Sequence, residues 1–101
     1  MKLRLVACAF VSVLAAACNT ASPVFMGIAA QTVTVERSTF DVRRKGESVE
    51  LLRTNREAVF SLAGIVPRAT KAVIQVTGCT PIAGTWTGDH AMMRVQIDCD
   101  T

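Results

Sequence analysis

The apolar run from Leu5 to Ala17, broken only by Ser12, limits this chain more than any other feature. It follows Met1-Lys2-Leu3-Arg4, which carries two positive charges and no acid, and it ends in Ala15-Ala16-Ala17. About 20 apolar residues are needed to cross a bilayer as a helix, so the run is too short to span one. It also lacks the polar face of a helix packed on a domain surface. A basic start, a short apolar stretch and small residues at its end together describe a secretory signal. Residues 1–17 are therefore expected to be removed and to add nothing to the fold.

The alanines lead directly into Cys18, and Leu14-Ala15-Ala16-Ala17-Cys18 resembles the lipobox of bacterial lipoproteins. The resemblance implies diacylglyceryl attachment to the Cys18 sulfur, cleavage before it and acylation of the new amino terminus. It covers only the first eighteen residues and says nothing about the domain behind them. Ala15 stands three before the cysteine, where the family more often has Leu, so ordinary cleavage after Ala17 without lipid is the alternative. Two or more acyl chains hold a protein stably at a membrane, where one holds it only marginally. Residues 18–30 then read as a tether, since Asn19-Thr20-Ala21-Ser22-Pro23 is small, polar and turn-prone. Extended at about 3.3 Å per residue, such a tether sets the domain some 40 Å or less from the lipid. The apolar stretch Phe25–Ala30 suits either packing on the domain or lying against lipid.

Loss of Lys2 and Arg4 leaves nine basic residues against eight acidic ones, without the basic footprint of a nucleic-acid binder. What remains, residues 31–101, is one domain of about 70 residues, a size at which burial alone is marginal and a staple is expected. Four cysteines are present. Cys8 leaves with the signal and Cys18 is reserved for lipid, so Cys79 and Cys99 form an even pair in an oxidising compartment. A disulfide between them is expected. The rival is a metal site using Cys79, His90 and Cys99 with Asp89. It lacks the close-spaced ligand pair that structural zinc sites usually have. No cofactor motif is found.

Gln31–Glu36 alternates valine with polar residues, the period of a strand. The alternation changes phase before Phe40 and Val42, which predicts a bulge or short turn at Arg37-Ser38-Thr39. Arg44-Lys45-Gly46-Glu47 supplies a turn and Ser48–Arg53 a return strand with Val49 and Leu51 on one face. Thr54-Asn55-Arg56-Glu57 matches a capping box. Behind it, Val59, Leu62, Ala63 and Val66 make the stripe of an amphipathic helix that Pro67 ends. Residues 68–77 carry Ala69, Ala72, Val73 and Val76 at helical spacing before Gly78, although "AVIQV" is also strand-like; a second helix is the reading adopted. Thr80–Trp86 and Ala91–Cys99 flank the turn cluster Thr87-Gly88-Asp89-His90 as a C-terminal hairpin. Cys79 and Cys99 are symmetric about Asp89, at the open end of that hairpin. A register shifted by one instead pairs Ile82 with Ile97 and Trp86 with Met93. The fold class expected is α+β, one or two helices on a small antiparallel sheet in two layers.

Candidate chemistry is sparse. His90 beside Asp89 suggests a general base oriented by a carboxylate, but neighbours on a strand point to opposite faces, and turn formation explains the pair better. Ser38, Ser48 and Ser61 lack a nucleophile motif. Glu36, Asp41, Glu47 and Glu50 read as solvated strand-face and turn carboxylates. Arg43-Arg44-Lys45 suits anionic headgroups or an acidic partner, or simply a hydrated hairpin tip. Trp86 suits a binding anchor or the largest core residue. The expectation is a non-catalytic binding or structural module of a bacterial cell envelope, held to a membrane through lipid on Cys18 and facing the periplasm. Its partner would be another envelope component. A secreted module or inhibitor without lipid is the alternative, and an envelope hydrolase using Asp89 and His90 is a more distant one.

Overall fold

The computed structural model describes residues 21–58 and 61–100. The signal, Cys18, the first tether residues and Val59 lie outside them. The architecture is α+β, with strands β1 (Gln31–Val35), β2 (Ser38–Lys45) and β3 (Ser48–Arg53) followed by helix α1 (Leu62–Thr77). Short strands β4 (Thr80–Pro81) and β5 (Thr87–Gly88) then precede β6 (Met92–Asp98). All pairings are antiparallel, in the order β1-β2-β3-β6, with β4 and β5 each pairing with β6.

The change of phase between β1 and β2 is a tight reversal at Glu36-Arg37, one residue earlier than expected. Val35 pairs with Ser38, and Glu36 takes a left-handed φ of 57°. A second two-residue turn at Gly46-Glu47 joins β2 to β3, with Gly46 at φ 62°. Register places Val42, Leu51 and Met93 in one row and Val49 and Val95 in another, both on the helix side. These residues, with Val33, Phe40 and Ile97, form the buried core.

The two expected helices are one, and it starts later than the capping box suggested. Ser61 is the N-cap, its Oγ accepting from the Gly64 amide at 3.2 Å, and Pro67 lies inside the helix rather than at its end. A mid-helix proline removes one backbone bond and costs about 3 kcal/mol. Ile65, Ala69, Ala72 and Val73 offset that cost: they form one buried i, i+4, i+7, i+8 stripe running past the proline onto the sheet. Gly78, at φ 71°, closes the helix as the sequence predicts, donating its amide to the Ile74 carbonyl at 2.8 Å.

The Thr54–Glu57 segment has a different task. Asn55 Oδ1 accepts from the Thr39 amide at 2.9 Å, and its Nδ2 donates to the Arg37 carbonyl at 2.6 Å. The buried Ser38 hydroxyl donates to Glu57 at 2.7 Å, and Arg68 on α1 donates to both Glu57 and Ser38. A polar clamp thus ties the crossover to the β1–β2 turn and to the helix.

The C-terminal hairpin is interrupted. Thr80 pairs with Asp98, the alignment symmetric about Asp89, whereas Thr87 pairs with Arg94, three residues out of that register. Residues 82–86 loop out between the two pairings, so the Ile82–Ile97 and Trp86–Met93 pairs do not form. Cys79 and Cys99 are disulfide-bonded, with Cα atoms 4.5 Å apart.

A candidate site on the outer face of the sheet

Helix α1 covers one face of the sheet, and residues 21–28 cover part of the other. Composition placed them in the tether, but Phe25 is 0 % exposed and Ala21 is buried. Pro23–Phe25 forms a 3-10 turn, with Phe25 donating to the Ser22 carbonyl at 2.9 Å. Proline at the start of such a turn is preset in φ. Gly27, at φ 85°, bends the chain so that the Ile28 carbonyl accepts from Arg43 Nε at 2.9 Å. Lys45 Nζ lies 3.4 Å from the Val24 carbonyl. The arginine–lysine run is therefore divided by the strand alternation. Arg43 and Lys45 hold the N-terminal segment on the outer face, while Arg44 Nη2 reaches Cys99 Sγ at 3.3 Å.

Beneath this segment, register aligns Arg43, Glu50 and Arg94 across three strands. Glu50 reads in sequence as an exposed strand carboxylate, yet it is 1 % exposed. Its two oxygens take the Ser22 hydroxyl and, at 3.3 Å, the Ser22 amide. Arg94 donates to Ser22 Oγ at 2.9 Å, lies 3.7 Å from the Glu50 carboxylate, and stacks over the Phe25 ring at 5.1 Å from its centroid. A buried carboxylate needs both a countercharge and hydrogen bonds. Arg94 supplies the first and Ser22 the second. Arg43 Nη1 is buried with no hydrogen-bond partner among the described residues. Beside Glu50 opens a hollow of about 200 Å³, lined by Thr87, Gly88, Met92, Met93 and Arg94. Drug-sized ligand sites usually run from about 300 to 1,000 Å³, so the hollow admits only a small group.

The residues singled out in sequence do not converge on one centre. Asp89 builds the β5–β6 turn, its Oδ1 accepting from the Ala91 and Met92 amides at 2.8 and 2.9 Å. Those amides hold its carboxyl below the ordinary aspartate value. The His90 carbonyl accepts from Arg53 Nε at 3.0 Å, and its Nδ1 faces an Arg53 guanidinium nitrogen at 3.3 Å. Trp86, in the looped-out segment, is half-buried and packs against the core. Cys79 and Cys99 are bonded to each other, so neither thiolate is available to a metal. Glu57 is the other perturbed carboxyl. Burial alone would raise it, but hydrogen bonds from Ser38 and Asn55 and the charges of Arg68 and Arg53 outweigh burial and hold it low. Sequence reasoning missed Glu50, Ser22 and Arg94 as a unit, and the one available signal was the apolar stretch Phe25–Ala30 directly behind the polar tether residues.

No protein family, curated protein or solved structure matches this chain.

Proposed function

We propose that this chain is a small lipid-anchored protein of a bacterial cell envelope, exported to the periplasmic side and fixed to the membrane through Cys18. Its domain acts as a non-catalytic binding or structural module for another envelope component. The observation that carries this reading is the Cys79–Cys99 disulfide. Disulfides persist in oxidising compartments, and this one closes a domain too small to rely on its core alone. The signal-like start and the lipobox-like ending at Cys18 supply the address. The groups that suggest chemistry are engaged structurally: Asp89 in a turn, Ser38 and Glu57 in the crossover clamp, Glu50 under Ser22 and Arg94.

Fractionation of cells producing the natural chain and Cys18→Ser tests the proposal. The natural chain should sediment with membranes, and Cys18→Ser, which keeps the Ala15-Ala16-Ala17 ending, should be released to the periplasm. A natural chain recovered from the periplasm without lipid would favour the secreted alternative. Intact precursor in the cytosol would refute export.

A further inference from the structure

Resting on the reading of Cys18 as the lipid-bearing residue, we propose that the outer face of the sheet, with residues 21–28 on it, lies against the phospholipid surface. The exposed apolar side chains of that face and Lys45 then contact lipid directly. Chain length carries the first part of the argument. Only Asn19 and Thr20 separate Cys18 from Ala21, which is already buried against the domain. Three Cα steps of 3.8 Å span at most about 11 Å. Ala21, where the docked segment begins, therefore stays within about 11 Å of the acylated residue, close to the depth of the headgroup region and far short of the 40 Å a free tether would allow.

The surface at that point carries the second part. Phe25 turns into the domain while its neighbours turn out: Val24 is 49 % exposed and Met26 60 %. Met92, also on the outer face, is exposed as well. These three are the majority of the five large hydrophobic residues exposed among the described residues, the others being Ile74 and Ile82. Apolar side chains at a bilayer interface bury about 5–10 Å into the boundary between headgroups and acyl chains. Lys45, with its ammonium beside the Val24 backbone, is placed to meet anionic phosphate in the same plane. The split of Phe25–Ala30 is thus complete, with the ring serving the fold and the flanking residues serving the membrane. Helix α1, on the opposite face, is left toward the periplasm and toward any protein partner.

Methionine oxidation reads this directly, because peroxide converts water-accessible methionine to the sulfoxide. The acylated protein is reconstituted on vesicles of phosphatidylethanolamine and phosphatidylglycerol, and the Cys18→Ser protein is kept in buffer. Oxidation of Met26 is followed by peptide mass spectrometry, with the buried Met93 as the slow reference in both. Met26 should oxidise at least fivefold more slowly on vesicles than in the Cys18→Ser protein, while the ratio for Met93 stays near one. Equal Met26 rates with acyl mass present on Cys18, whether both fast or both slow, would overturn the membrane-facing surface and leave the lipoprotein reading intact. Absence of acyl mass on Cys18 would overturn that reading and this proposal with it.

Discussion

Replacing Phe25 by alanine asks whether residues 21–28 belong to the fold. The ring is fully buried on the outer face of the sheet, stacked under the Arg94 guanidinium and adjoining the Ser22–Glu50 hydrogen bonds. Phe→Ala at such a site costs about 3–5 kcal/mol, from lost transfer energy and the cavity left behind. The segment lies ahead of the first strand and can lift away rather than leave a void, which places the cost near the lower figure, about 3 kcal/mol. In a domain of this size that lowers the melting temperature by about 12–24 °C. The assay is urea and thermal unfolding of the Cys18→Ser protein with its disulfide intact, with and without Phe25→Ala. A loss within about 0.5 kcal/mol, the range of an ordinary surface change, would refute the account of this segment.

Three further outcomes follow from named contacts. Glu50→Ala leaves Arg94 and Ser22 facing a buried, uncompensated position, and is expected to cost about 3 kcal/mol, the lower end for a broken buried pair because Arg94 is partly exposed. Glu50→Gln, which keeps the shape and can still accept from Ser22, should cost less; equal losses in urea titrations would contradict the clamp. Reducing or deleting the Cys79–Cys99 bond, which closes a separation of 20 residues, should cost about 3 kcal/mol on the chain-entropy model. Calorimetry with and without reductant checks it, and an unchanged melting temperature would contradict it. Glu57 has a folded value below its ordinary 4.5, so its stabilisation is fully present above that pH and is lost as pH falls through the folded value. Glu57→Gln should therefore flatten the acid limb of the stability curve, and an unaltered limb would show that the Ser38–Asn55–Arg68 contacts contribute nothing.

The parts of the fold legible in sequence are those where the local pattern and tertiary environment agree. Val33 and Val35, Val49 and Leu51, and Met93, Val95 and Ile97 alternate because only one side of their strands meets the helix. The cysteine pair was legible from arithmetic, as the even pair left once Cys8 is assigned to the signal and Cys18 to lipid. The helix start was not, because Thr54-x-x-Glu57 satisfies a local capping rule while its side chains are drawn to the β1–β2 turn. Pro67 misled for the related reason that one lost backbone bond is weaker than a continuous buried stripe from Ile65 to Val73. Glu50 was hidden more deeply. Its burial depends on Ser22 and Phe25, twenty-eight and twenty-five positions away, and no periodicity within β3 can report a cover contributed by another segment.

The intact mass of the protein, extracted from membranes under non-reducing conditions after alkylation of free thiols, tests the central claim most directly. The account predicts a chain beginning at Cys18, carrying the added mass of acyl chains there, with Cys79 and Cys99 unalkylated and two hydrogens lighter. A chain still starting at Met1, with both late cysteines alkylated, would contradict it.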